Sequence, residues 1–308
     1  MEIRIHRPGM LTTVQDLGRP GRRAEGVSPG GAADPFAMRV ANLLVGNPED
    51  AAGLEVTLVG PELEFSEPGW IACCGARFDG VAGWRPRRVE AGERLRFGTR
   101  TEGCRAYLAL AGGLEVERVL GGCGTHLGGG FGGHGGRALR EGDVLRTRPF
   151  AWHLSERWMM DERVLPPYSR EPTVRAVDGS HASQFGDALH AGAFRVSAQS
   201  DRMGIRLDDR VLTRSESTEI LSGAVAPGTV QVPADGRPIV LMADAQTLGG
   251  YPRVAHVASV DLPLLAQLAP GDTVRFARVS LAEAHALLRA QEHRLALLRQ
   301  GLESKVTR

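Results

Sequence analysis

The sequence predicts a mainly β protein with a barrel-like architecture in two related halves. Three observations carry this expectation. Short β-rich runs recur along most of the chain, several are entered through Gly-Glu or Gly-Asp turns, and turn formers abound, with 40 glycines and 18 prolines among 308 residues. Repetition of a tight turn followed by a half-exposed strand is what antiparallel barrels and their relatives produce.

In chain order the expected strands are Glu2–His6, Leu54–Leu58, Trp70–Cys74, Arg94–Phe97, Arg105–Leu110, Phe194–Ala198, Thr229–Val232, Pro238–Ala243 and Thr273–Val279. Turns at Ala91-Gly92-Glu93, Glu141-Gly142-Asp143 and Pro270-Gly271-Asp272 punctuate them. Two helices are legible. The first has Asp34 as N-cap, Pro35 at the first helical position and Gly46 as a left-handed stop, with Phe36, Val40, Leu43 and Leu44 on one face. The second opens with the capping box Ser280-Leu281-Ala282-Glu283 and carries a stripe of Leu281, Ala284, Leu288, Leu295, Leu298 and Leu302, expected to dock within the chain. Residues 151–172 mix charge, Trp158, two methionines and Pro166-Pro167, and read as a crossing between one half at 1–150 and another at 173–308. A weak echo links the halves: Gly26-Val27-Ser28-Pro29-Gly30 resembles Ala224-Val225-Ala226-Pro227-Gly228.

Composition removes several function classes. A net charge of +1 and 5% aromatics offer neither the field nor the stacking surface that nucleic acid needs. No apolar run approaches the roughly 18 residues of a membrane helix, and the opening Met1–His6 alternates like a strand, unlike a signal peptide. Four cysteines without a C-x-x-C pair read as reduced core thiols of a cytoplasmic protein. Among 37 basic residues only Lys305 is a lysine, and it lies close to the C-terminus. A phosphate-binding P-loop, a Schiff base and a covalently attached biotin each need a lysine, so none of them is expected in this chain.

Five segments hold enough polar chemistry to form a site. Asp16 and Arg19 lie in a turn after a strand, where they can meet a polar, charged substrate or satisfy their own backbone. Gly30-Gly31 precede a helix N-terminus and can present bare amides to an anion. Gly121–Arg137 contains ten glycines with Thr125, His126, His134 and Arg137 interspersed, and reads as a loop that closes over a ligand. Its G-x-G-x-x-G at Gly130, Gly132 and Gly135 lacks the strand and helix of a dinucleotide site, and Cys123, His126 and His134 lack a fourth zinc ligand, so no metal is expected. Ser200, Arg202 and Arg206 form an arginine-bearing turn suited to an anion. Last, Gln231 and the run Asp244, Gln246, Thr247 and Tyr251 gather different polar heads on a glycine-hinged turn, the strongest candidate of the five. Spacing alone names no reaction: G-x-S-x-G, H-E-x-x-H and Walker patterns are all missing.

The stretches Thr12–Arg19, Gly26–Asp34, Ala41–Asn47, Gly60–Leu63, Ser200–Leu207, Pro227–Pro233 and Ala243–Pro252 resemble, in the same order, the motifs of the KipA and allophanate hydrolase subunit 2 family of biotin-dependent carboxyltransferase-like domains. That resemblance implies cyclophilin-like β-barrels and a separately encoded, KipI-like partner (PxpB). It further implies, with a third component (PxpA), the ATP-dependent opening of 5-oxoproline to L-glutamate, ATP and Mg²⁺ being shared with the partners. Phosphorylation of the lactam oxygen would supply the leaving group. Asp16, Asp244 and Tyr251 are then the candidate catalytic residues. Arg19, Gly30, Gly31, Ser200, Arg202, Arg206, Gln231, Gln246 and Thr247 are the candidate substrate-binding residues. The same family includes the carboxyltransferase part of urea carboxylase and antagonists of a histidine-kinase inhibitor. Two stretches depart from its usual pattern: Gly121–His126 stands where members show Gly-Ser-x-Ser-Thr-Tyr, and Gly179-Ser180-His181 where they show Gly-Pro-Gln.

Overall fold

A computed structural model describes residues 1–150, 154–156, 158–216 and 219–303. The chain separates into two compact units that interleave along the sequence. The first comprises Met1–Arg19, Gly30–Pro166 and Arg294–Arg308, the second Pro20–Pro29 and Pro167–His293. Tertiary contact thus groups a ten-residue loop and the chain's last residues differently from their order in the sequence.

The first unit holds β1 (Glu2–Arg7), β2 (Leu11–Gln15), β3 (Gly53–Thr57), β4 (Glu62–Phe65), β5 (Gly69–Phe78), β6 (Pro86–Val89), β7 (Arg94–Arg96), β8 (Arg100–Leu110) and β9 (Val144–Arg146). These form a four-stranded sheet, β7-β4-β1-β9, and a five-stranded sheet, β2-β3-β8-β5-β6. Residues from both sheets meet in one core: Ile3, Ile5, Leu63 and Phe65 from the first, Leu54, Val56, Ile71 and Leu108 from the second. β1 follows the alternation its sequence predicts, with Ile3 and Ile5 fully buried. Helix α1 (Pro35–Leu44) lies against β5 and β8. Asp34 caps it by accepting the Ala37 amide at 2.9 Å. At its end Gly46 N–H donates to Leu43 O and Asn47 N–H to Asn42 O, a Schellman closure that requires the left-handed Gly46, φ 72°.

The second unit holds β10 (Thr173–Asp178), β11 (Phe194–Val196), β12 (Gly204–Asp208), β13 (Gly223–Ala224), β14 (Thr229–Gln231), β15 (Ile239–Leu241), β16 (Leu248–Gly249), β17 (Arg253–Val257) and β18 (Thr273–Arg278). Seven of them close into a barrel, β10-β17-β14-β15-β12-β11-β18, and β13 pairs with β16 as a separate small sheet. The β10–β18 pair is parallel and the remaining barrel pairs are antiparallel. Short α2 (Leu262–Ala266) precedes β18, and α3 (Leu281–Glu303) follows it. Ser280 and Glu283 form the expected capping box: the Glu283 amide donates to Ser280 Oγ at 3.2 Å and the Ser280 amide to Glu283 Oε2 at 2.8 Å. Ala284, Leu287 and Leu288 of α3 pack on Val177, Ala258 and Val260.

Closure by backbone hydrogen bonds is therefore seen in the second unit, while the first arranges its strands as two sheets over a shared core. The pentapeptide echo is not repeated in local structure: Gly30 leads to α1, Gly228 directly into β14. No described helix is long and apolar enough to cross a membrane.

Candidate functional site

The fold sorts the sequence candidates into two constellations, one in each unit. In the first unit, Asp16 follows β2 and faces the glycine-rich loop. Its Oδ1 accepts the amides of Gly18 at 2.8 Å and Gly124 at 3.1 Å, and its Oδ2 accepts that of Cys123 at 2.5 Å. Arg19 is fully buried. Its Nη2 donates to Gly124 O at 2.5 Å and its Nε to Val119 O at 3.3 Å, while Cζ stands 5.0 Å from the Phe131 ring centroid. His126 stacks on Phe131 with 7° between the planes. An acid that accepts three amides and a cation that binds two carbonyls together hold the loop to β2.

Several of the loop's glycines are explained by that packing. A Cβ on Gly124 would lie 2.6 Å from Gln15 Oε1, and one on Gly133 would collide with Thr125 Oγ1. Thr125 donates both its amide and its hydroxyl to Val14 O, and the Gly133 amide donates to Cys123 O. The sequence suggests a loop that closes over a ligand; in the fold the Cys123, Gly124, Thr125 and Gly133 amides bond within the protein, whereas Gly121, Gly130 and Gly135 face open space. Gly31 packs equally tightly, since a Cβ there would lie 2.5 Å from Gly18 N. The amides that follow Gly30 and Gly31 are also engaged, Ala32 to Asp16 O, Ala33 to Glu55 Oε2 and Asp34 to the Tyr107 hydroxyl oxygen. Burial first, and the carboxylates of Glu55 and Asp34 second, push the Tyr107 phenol well up from its ordinary value. Cys123, His126 and His134 do not converge, and the described residues contain no group of three metal-ligating side chains. Burial, then Asp16, raises the Cys123 thiol, and burial alone pushes Cys73 up to about 12, so neither is a ready thiolate.

The second unit brings the other candidates together on the barrel. Arg202 and Asp244, 42 residues apart, form a bidentate ion pair, Nε to Oδ2 at 2.8 Å and Nη2 to Oδ1 at 3.0 Å. The Asp244 amide also donates to Arg202 O at 3.0 Å. Ser200 Oγ accepts the Arg206 amide at 3.1 Å and so closes the turn between β11 and β12, leaving the Arg206 side chain exposed. Gln231 is buried on β14. Its Nε2 donates to Tyr251 O at 3.4 Å and its Oε1 accepts Gln246 Nε2 at 3.3 Å. The Thr247 carbonyl accepts the Val225 amide, and the Tyr251 ring is half exposed. What this arrangement offers a ligand is an exposed Gln246 amide and a Tyr251 phenol beside a neutralised Arg–Asp pair.

The polar motif read from sequence ends at Pro252, one residue short of a further member of this group. Arg253 opens β17, donates Nη1 to Ala224 O at 3.3 Å, and has a buried Nε without a hydrogen-bond partner. No motif announces the tie between His181 and this arginine either, whose amide donates to His181 Nδ1 at 3.2 Å. The available signal was a basic residue directly after the richest polar segment.

Similar proteins place this β fold in a family. The family model for the carboxyltransferase domain, subdomain A and B, matches residues 25–278, and the chain belongs to that family. It is 43% identical to the C subunit of 5-oxoprolinase from Escherichia coli (strain K12), over 92% of this chain and 93% of that protein. With the C subunit of 5-oxoprolinase from Haemophilus influenzae it shares 36% identity, over 95% and 96% of the two chains. Among solved structures, the urea carboxylase of Kluyveromyces lactis superposes with a TM-score of 0.89 at 29% identity, over 98% of this chain but 29% of that one.

Proposed function

We propose that this chain is the C subunit of an ATP-dependent 5-oxoprolinase, which consumes 5-oxoproline, water and ATP and releases L-glutamate, ADP and phosphate. The observation that supports it is the end-to-end match to the C subunits of two bacterial 5-oxoprolinases, which leaves neither chain with a large unmatched region. In this reading the chain works in the cytoplasm with the KipI-like PxpB and with PxpA, and is inactive alone. The described residues do not by themselves suit a magnesium-bound nucleotide: they include no lysine and no cluster of metal-ligating carboxylates, and Arg202 is committed to Asp244. ATP and Mg²⁺ are therefore assigned to a site completed by the partners. This chain's share is recognition of the lactam. Gln246, held by the buried Gln231, presents an amide complementary to the ring amide, and Tyr251 offers a hydroxyl for orientation or proton transfer. Asp16 and Arg19 act through the loop they hold, and Arg202 and Asp244 fix the turn that carries Ser200 and Arg206.

A second reading, the carboxyltransferase component of a biotin-dependent urea carboxylase system, is favoured by the likeness to the Kluyveromyces lactis enzyme. One experiment separates the two. The chain is co-purified with PxpA and PxpB, and phosphate release is measured with 5-oxoproline, and with urea plus bicarbonate and a biotinylated carrier. Release that needs 5-oxoproline and all three proteins together is expected. Turnover only with urea, bicarbonate and biotin would establish the second reading, and full activity of this chain alone would refute its dependence on partners.

A further inference from the structure

One cation of the second unit stands without a carboxylate. The Arg253 guanidinium bonds only to Ala224 O, its Nε has no hydrogen-bond partner, and among the described residues no acid pairs with it. It is nonetheless firmly placed. Gly223 packs so closely that a Cβ there would lie 2.5 Å from Nη1. Arg214, the other arginine whose field reaches His181, is differently placed: its Nε donates to Gln184 Oε1 at 2.7 Å, and Gln184 Nε2 donates to Glu216 Oε2 at 2.8 Å. That relay sets an acid against Arg214, and among the described residues nothing comparable serves Arg253.

His181 and Ser180 are held against the Arg253 main chain, and the charge of its guanidinium reaches the His181 ring. The His181 amide donates to Arg253 O at 3.0 Å, and His181 Nδ1 accepts the Arg253 amide at 3.2 Å. An Nδ1 that accepts a backbone N–H carries no proton, so the neutral ring holds its proton on Nε2 as a donor. Ser180 Oγ, 2.9 Å from Nδ1, is then oriented by the same lone pair. Burial, and next the charges of Arg253 and Arg214, hold the imidazole below its ordinary value, which keeps it neutral near pH 7.

We infer that His181, through its Nε2–H, and Arg253 form a subsite for a monocarboxylate, with Ser180 fixing the imidazole, and that it receives the carboxylate of the lactam substrate. The identity of that carboxylate rests on the 5-oxoprolinase reading above. The charge count selects the ligand class, since one uncompensated guanidinium beside a neutral donor balances a single negative charge and leaves a phosphate dianion half compensated. Placement relates the subsite to the amide side chains. Arg253 Nη1 is anchored on β13, β13 pairs with β16, and the turn around β16 carries Gln246 and Tyr251. A molecule with one carboxylate and one ring amide matches both sets of groups.

The test follows the His181 imidazole by NMR in the full-length chain during titration with 5-oxoproline, 2-pyrrolidinone or inorganic phosphate. 5-Oxoproline should raise the His181 pKa, because its carboxylate offsets the neighbouring arginines. 2-Pyrrolidinone, the same ring without the carboxylate, should leave it unchanged, and Arg253→Gln should abolish the response. An equal response to both lactams, a stronger response to phosphate, no response at all, or an unaltered response in Arg253→Gln would overturn the subsite. In the reconstituted complex Arg253→Gln should raise the KM for 5-oxoproline roughly tenfold or more with a smaller effect on kcat, Arg253→Lys restoring part of the loss. Should Arg253→Gln not fold, His181→Gln carries the KM test. A wild-type complex unable to turn over 5-oxoproline would sink the functional reading, while the NMR titration decides the subsite separately.

Discussion

Arg202 grips Asp244 through two parallel hydrogen bonds of 2.8 and 3.0 Å, with side chains only 4% and 8% exposed. The pair joins the turn before β12 to the turn after β15, strands that are themselves partners. Desolvating two charges gives back most of their attraction, so the pair contributes more to geometry than to net stability.

Removing one member alone leaves the other buried and unpaired. Arg202→Met is expected to cost about 3–5 kcal/mol in urea unfolding, and Asp244→Leu a similar amount, while the double variant recovers most of the loss. If the pair only shapes the turn, activity of the complex tracks stability. Loss of turnover in a stably folded double variant would give the pair a direct part in the chemistry.

Asp16 is expected to behave as the keystone of the glycine-rich loop. Asp16→Ala strips acceptors from the Gly18, Cys123 and Gly124 amides. Each charge-assisted hydrogen bond contributes about 1.5–3 kcal/mol. A drop in Tm together with faster hydrogen exchange at Gly124 and Thr125 is the expected outcome. An unchanged Tm with lost activity would instead assign Asp16 to the reaction.

Gly133 and Gly130 share the left-handed region, at φ 55° and 66°, but differ in surroundings. A Cβ at Gly133 meets Thr125 Oγ1, whereas nothing lies within 4 Å of one at Gly130. Gly130→Ala should therefore cost only the conformational penalty, about 1–2 kcal/mol, and Gly133→Ala distinctly more. Equal thermal shifts in the two variants would show that the loop does not pack as described.

His256 is held below its ordinary value by burial first and by the Arg23 charge second. As pH falls through about 6.5 the unfolded chain binds a proton at this residue that the folded chain refuses, so unfolding is favoured. The stability concerned is fully present above the unfolded pKa and is lost as pH falls toward the folded one. Urea midpoints at pH values of about 7.5 and 5.5, on either side of that pKa, should differ less in His256→Gln than in wild type. His181, shifted the same way, adds to the effect, and the double variant should be flattest.

The features legible in the sequence are those whose partners lie a few residues away. Asp34 reaches the Ala37 amide, Gly46 closes α1, and Ser280 and Glu283 cap each other. Strands with apolar alternation or apolar runs were equally readable, β1, β5 and β8 among them. β2 escaped because Thr12, Thr13 and Gln15 are all buried, so it shows neither an apolar run nor a polar face. Gln15 Nε2 bonds to Thr125 O, 110 residues away, and no local pattern announces that.

Sequence by itself determined the β class, the two helices with their caps, the family and the five segments in which polar chemistry collects, because each depends on backbone preference or on a short motif. Tertiary structure decided what the charges in those segments do. Asp16 and Arg19 are spent on the loop, Arg202 on Asp244, and Arg253, which no motif marked, has no acid partner among the described residues. A charge is neutralised by whatever the fold brings within about 4 Å, and across 42 or 108 residues of chain only the folded strands determine that neighbour.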